Sequence, residues 1–182
     1  LVYRARRATH AGGAPRGAPT NIPSKGYGSL PYCDERQNPN LVRVYVDAQY
    51  DHLEQRIYML GALVAACERG HEDPQRRRSI VHLTSGPPRT PMQERRLFVR
   101  WLGETIRAVV ELAAPDDQGR PRAPVHLIFY DRYEQRILLD GLARHFAAAV
   151  GATPLYDFVT QLAAYDSPVV TFLDQEIREL KN

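Results

Sequence analysis

Val125-His126-Leu127-Ile128-Phe129-Tyr130 runs without a break into Asp131-Arg132-Tyr133-Glu134, after which apolar residues recur at Ile137, Leu138, Leu142 and Phe146. The first six residues form a compact apolar run with β-branched and aromatic members, the composition of a strand covered on both faces. The spacing that follows is that of one helical face. A buried strand feeding an amphipathic helix is the signature of an α/β domain.

The segments upstream arrange themselves around this unit. Leu41-Val42-Arg43-Val44-Tyr45-Val46-Asp47, bounded by Pro39 and Asn40, reads as the first core strand. Ile57 to Ala66 is a second apolar run, expected to pair antiparallel with the first across a short polar segment. Ser79 to Thr84 is a third, reached through the polar connection Glu68 to Arg78, so the three make a meander. Past Pro87, Pro88 and Pro91 the period switches: Leu97, Phe98, Trp101, Leu102, Ile106, Val109 and Val110 share one face of a helix. Thr90 is placed to cap that helix, with Pro91 at its first position, where a missing N–H costs nothing.

Asp116 to Pro124 reads as a polar loop before the Val125 strand. Downstream, Gly151 is placed to end the second helix, a shorter helix is expected over Leu155 to Ala164, and another from about Val169 to the end. Three strands, a helix, a strand and further helices match the first half of a ribonuclease H-like fold. That fold is a three-layer α/β arrangement whose mixed sheet has an antiparallel meander followed by a parallel strand, with flanking helices.

Residues 1–40 carry Pro15, Pro19, Pro23, Pro31 and Pro39 among Gly, Arg and Ser, which leaves no room for a persistent helix or long strand. They read as an extended arm or linker, and 41–182 as the ribonuclease H-like domain. A chain of 182 residues suits one such core. It starts at Leu1 and stops at Asn182 within a helical pattern, as expected of a fragment of a larger protein. No apolar run approaches the roughly 18 to 20 residues of a membrane span, and no basic segment leads into an apolar run ending in a small-residue cleavage site, so no membrane partner and a cytoplasmic location are expected. Cys33 and Cys67 have neither zinc-site nor disulfide-framework spacing.

The net charge is +3, unevenly spread: Arg4, Arg6, Arg7 and Arg16 lie at one end and Arg76, Arg77 and Arg78 in the middle. The central run is a candidate phosphate-binding surface and equally the composition of a solvated loop. No Walker-type loop occurs, and His52, His71, His82, His126 and His145 have no metallohydrolase spacing.

Nucleases of this fold hold divalent cations with carboxylates at strand ends, where two ions stabilise the attacking and leaving oxygens of phosphodiester displacement. Asp47 falls at the end of the first strand, and Asp131 and Glu134 just beyond the Val125 strand. Those positions are neighbours if the two strands pair in parallel. Asp47, Asp131 and Glu134 are therefore the candidate catalytic residues, and together with Gln49 the candidate metal ligands. Gln49 stands where an Asp-x-Glu pair would supply a second acid on the same side of the strand. Its amide offers a carbonyl oxygen and no charge, and Mg²⁺ sites lean on carboxylates. Asp51 is a nearby substitute. Other readings stay open: Asp47 as a turn former, Asp131 as the N-cap of its helix, and Glu134 and Glu94 as favourable first-turn charges.

Gly28-Ser29-Leu30-Pro31, Val44-Tyr45-Val46-Asp47, Arg56-Ile57-Tyr58-Met59-Leu60-Gly61 and Phe129-Tyr130-Asp131-Arg132-Tyr133-Glu134, in that order and spacing, resemble the ribonuclease H-like nuclease domain of bacterial RecB-family nuclease and helicase fusion proteins. The resemblance spans about Gly28 to Phe158. It implies a 3′-5′ exonuclease-like activity on DNA dependent on Mg²⁺ or Mn²⁺, with a helicase domain elsewhere in the same full-length protein. Asp47, Glu94 and Glu134 match acidic positions of that family; Gln49 departs from its Asp-x-Glu. The family's last metal-binding acid comes from a late helix, for which Asp157, Asp166, Asp174 and Glu176 are the candidates.

Three functional classes follow. The first is a DNA exonuclease-like domain, active or weakened by its degenerate acidic motif. The second is a catalytically inactive relative that binds nucleic acid or docks a helicase domain. The third is a structural interaction module in which the arginines and Asp47 are spatially unrelated.

Overall fold

The computed structural model describes residues 41–68, 71–86, 88–113 and 123–179. The expected arm over 1–40, with its arginines and Cys33, lies outside the described residues. Five strands form one mixed sheet: β1 (Val42–Asp51), β2 (Arg56–Glu68), β3 (His71–Leu83), β4 (Val125–Phe129) and β5 (Val170–Phe172), in the order β3-β2-β1-β4-β5. β1, β2 and β3 pair antiparallel; β4 runs parallel to β1, and β5 parallel to β4. The helices are α1 (Pro91–Leu112), α2 (Arg132–Arg144), α3 (Phe146–Ala152), α4 (Tyr156–Ala163) and α5 (Leu173–Glu179). No helix among the described residues is long and apolar enough to cross a membrane.

Alternation along β1 sets the layers. Val42, Val44, Val46 and Ala48 are buried on one face and meet Ala66, Val64, Ala62 and Leu60 of β2 in register. Trp101, Leu102 and Val109 of α1 and Leu138 of α2 belong to the same core. Arg43, Tyr45, Asp47 and Gln49 point to the other face, as the two-residue period requires. Every residue of β4 is buried. His126, Ile128 and, on β5, Thr171 are covered on the Asp47 side of the sheet, and His126 Nε2 is 2.7 Å from Thr171 Oγ1. Burial, then the charge of Arg43, pushes the His126 imidazole down to about 4, so it stays neutral in that pair.

The helix starts follow the local sequence. Thr90 caps α1 by accepting from the Gln93 amide while the Gln93 side chain accepts from the Thr90 amide, a complete capping box with Pro91 at the first turn. Asp131 caps α2 by accepting from the Tyr133 and Glu134 amides.

Several boundaries differ from the sequence expectation. β1 continues to Asp51, so Asp47 lies inside the strand; it does stand one residue past the last β1 position paired with β4, Val46 opposite Phe129. The polar stretch before Ser79 is strand from His71 onward. β3 is an edge strand, and Arg76, Arg77 and Arg78 are exposed on it, Arg77 on the face away from α1 and Arg76 and Arg78 at the rim of α1 where they find partners, so charged residues are tolerated there. The expected helix from Val169 instead opens with the β-branched run Val170-Thr171-Phe172 as β5, and α5 follows. The second helix ends at Arg144 with His145 as its C-cap, and Gly151 instead lies within α3, which ends at Ala152.

Candidate active site at the ends of β1 and β4

Parallel pairing of β1 with β4 brings the leading candidates to one edge of the sheet. Asp47 follows Val46, and Tyr130 and Asp131 follow Phe129, its partner across the ladder. Asp47 is exposed and faces Gly61 of β2, whose lack of a side chain leaves the carboxylate uncovered on that side. Glu134, in the first turn of α2, folds back so that Oε2 accepts from the Tyr130 amide. Burial, the largest influence, pushes the Glu134 carboxyl up to about 7; the Tyr130 amide pulls against it, and the charges of Asp47 and then Asp131 push with it. Asp47, Asp131 and Glu134 thus share one electrostatic neighbourhood.

The oxygens of this set are partly committed. Gln49 Nε2 donates to Asp47 Oδ1 at 2.9 Å, so the amide presents its NH₂ group to the carboxylate where an acid would present a second charge. Asp131 Oδ1 accepts from the Tyr133 amide at 2.8 Å and the Glu134 amide at 3.2 Å, the N-cap geometry. Asp51 Oδ1 accepts from the Leu53 and Glu54 amides and builds the β1–β2 turn, four residues beyond Asp47. Among the described residues no group of three or more His, Cys, Asp or Glu side chains is arranged to hold a metal ion. Two close-set cations repel each other and need several carboxylates to offset their charge. As arranged, these donors do not fit a pair of Mg²⁺ or Mn²⁺ ions.

Among the late acids, Asp174 reaches this edge: its amide donates to the Tyr130 carbonyl at 2.9 Å, Oδ2 pairs with Arg178 at 3.1 Å, and Oδ1 is buried without a hydrogen-bond partner. Asp157 and Asp166 are exposed, in the first turn of α4 and in the turn after it. Glu176 lies in the first turn of α5.

Glu94 has a different place. It is wholly buried on the helix-covered side, accepts from Arg144 at 2.6 Å and from the Ile57 amide at 3.0 Å, and has Arg56 at 3.9 Å and His145 Nε2 at 3.5 Å. Burial alone would raise its carboxyl; contact with His145, the Ile57 amide and Arg144 outweighs it and holds the group below the usual range. Glu94 knots α1 to the β1–β2 hairpin and the end of α2.

The arginine run divides between the two faces of β3. Arg78, opposite Val64, turns to α1 and pairs with Glu111 at 2.8 Å; Arg76 donates to the Leu112 carbonyl at the end of α1. Arg77, opposite Ala65, points to the face that carries Tyr45 and Asp47.

Sequence reasoning did not single out Tyr50 and His52, which with Tyr133 form an aromatic cluster beside the acids. The signal available was three rings flanking two acidic segments, which has no meaning until β1 and α2 are adjacent. Comparison with protein-family models, with curated proteins and with solved structures finds no match for the chain.

Proposed function

We propose that the chain is a ribonuclease H-like domain that binds nucleic acid, DNA in the first instance, at the edge formed by the ends of β1 and β4, and that its exonuclease centre is silent or nearly so. The reading of the fold rests on the sheet order β3-β2-β1-β4-β5 with β4 and β5 parallel to β1. The observation that carries the functional reading is the hydrogen bond from Gln49 to Asp47: an amide occupies the second acidic position and uses its donor on the first acid. Following the resemblance, the domain belongs with a helicase domain in a longer protein.

A second reading, a weakened Mg²⁺- or Mn²⁺-dependent 3′-5′ exonuclease, is favoured by one specific observation. The charge of Asp47 acts on Glu134, so at least two carboxyl groups converge where such a centre would lie. One experiment separates the readings. Mn²⁺ is titrated into wild type, Gln49→Glu and Asp47→Ala, and each is assayed for degradation of single-stranded DNA. The silent-centre reading expects no cleavage by wild type and a gain in Mn²⁺ affinity of at least several-fold in Gln49→Glu. Cleavage by wild type that Asp47→Ala abolishes would establish the second reading instead.

A further inference from the structure

We infer that the groove between the β1–β2 hairpin and the length of α2 is a stacking site for a base of single-stranded nucleic acid. The inference rests on the nucleic-acid reading above and names the part of that edge which would hold the strand. The groove has a volume of about 230 Å³ and is lined by Tyr50, His52, Tyr133, Arg136, Asp140 and Arg144.

Tyr50 packs partly against the core, whereas the other two rings stand outside it. His52 is exposed on the hairpin turn, and Tyr133 is 42% exposed on the first turn of α2. Yet they are ordered against each other: the His52 and Tyr133 planes lie 23° apart with centroids at 5.9 Å, and Tyr50 meets His52 edge-on at 5.7 Å. A base held between two rings needs about 6.8 Å, twice the stacking rise of roughly 3.4 Å. The 5.9 Å separates ring centres, so seating a base requires the exposed His52 side chain to swing away from Tyr133.

The polar lining suits a nucleotide. Arg136 is largely exposed at the rim, 3.6 Å from Asp140, where it can turn to a phosphate, while Asp140 offers oxygens to exocyclic amino groups. Arg144 is held by Glu94 and supplies a fixed positive charge at the groove wall. Stacking faces beside arginines bind single strands with little sequence preference, because every base has a π-face. The groove also adjoins the acids: Tyr133 precedes Glu134 in sequence, and Tyr50 and Asp131 both act electrostatically on its hydroxyl.

The test uses the full chain in EDTA, so that binding is read apart from cleavage. A single-stranded 12-mer carrying one 2-aminopurine is titrated with wild type, Tyr133→Ala, Tyr133→Phe and His52→Ala. A fully abasic 12-mer serves as the backbone control, and circular dichroism checks the fold. Expected are quenching of 2-aminopurine by wild type and an affinity loss of about ten-fold in Tyr133→Ala, the loss of one stacked base. Tyr133→Phe should bind like wild type, His52→Ala should show a smaller loss, and the abasic strand should be indifferent to all three substitutions. Equal binding by wild type, Tyr133→Ala and His52→Ala would overturn the groove while leaving nucleic-acid binding in place. Absence of binding to any strand at low salt would overturn both. Displacement of the 12-mer by a proline-rich peptide, with the same dependence on Tyr133, would make the groove a peptide site and overturn the inference.

Discussion

Glu94, with no exposed surface, accepts a 2.6 Å hydrogen bond from Arg144 across the gap between the first turn of α1 and the last turn of α2. The same carboxylate takes the Ile57 amide, and Arg144 also donates to the carbonyl of Gln55, the one non-glycine residue among those described with a left-handed φ, 52°. One acid therefore fixes the hairpin, two helices and the base of the groove together. Removing it leaves Arg144 and the Ile57 amide facing a void, and stranded buried polar groups are among the most destabilising changes known. Glu94→Ala should cost on the order of 3 kcal/mol in urea unfolding, with no change in Mn²⁺ binding once the variant is shown to be folded. A stability within experimental error of wild type would remove Glu94 from this role.

Gly141 of α2 lies against Phe98 and Ile57. A methyl group there would stand inside contact distance of the Phe98 ring and 3.1 Å from Ile57 Cδ1. Elsewhere in a helix, alanine is preferred to glycine by about 1 kcal/mol. Here overpacking against a buried ring outweighs the propensity gain, and Gly141→Ala should lower stability by roughly 1 to 2 kcal/mol. A rise in thermal midpoint would show that the helices separate more easily than their packing implies.

Much of the α/β order was legible because β1, β4, α1 and α2 carry strong periods of their own. Val125 to Phe129 announced a strand covered on both faces, and Trp101, Leu102 and Val109 a helix seam. The first part of β3 and the whole of β5 were hidden for opposite reasons. His71 to Arg78 is an edge strand whose outward residues need not be apolar, so it reads as a loop; Val170 to Phe172 is too short for periodicity to register. The acids were legible by position, since strand-end carboxylates followed from the expected pairing of β1 with β4. What they do to one another was legible only in part: Asp131 as the N-cap was one of the readings left open, whereas the donation of Gln49 to Asp47 depends on rotamers that spacing does not specify. The Arg76 to Arg78 run split between two faces because a strand alternates its side chains, which a loop reading conceals.

Glu134 carries a pH dependence whose sign follows from its environment. The folded chain titrates it near 7, against about 4.3 for an unfolded glutamate. Between those values the folded state holds a proton that the unfolded state has released. Its contribution to stability is therefore fully present below about pH 4.3 and declines as pH rises through about 7. Glu134→Gln, which keeps an acceptor for the Tyr130 amide, should remove this decline and exceed wild type at pH 8 by on the order of 2 kcal/mol. Urea unfolding at pH 5 and pH 8 measures it; parallel pH profiles for the two proteins would refute the shift. Asp47→Asn should move the same titration downward, because one of the charges raising it is gone.

Arg77 and Arg78 adjoin in sequence and should behave differently. Arg78 is engaged with Glu111 on α1, both groups partly exposed, so its loss should alter stability by no more than about 0.5 kcal/mol and leave nucleic-acid binding unchanged. Arg77 is exposed on the face of Asp47, where a strand leaving the β1 and β4 edge would cross the sheet. If it neutralises one phosphate, Arg77→Ala should weaken binding to all sequences alike and reduce the slope of log affinity against log salt by about 0.7 for a single strand. Anisotropy titrations from 50 to 200 mM salt resolve that difference, since the expected change comes from one contact in several. An unchanged slope in Arg77→Ala with a reduced one in Arg78→Ala would mean that the strand runs over the α1 side of β3, and the proposed edge would have to be moved to that face.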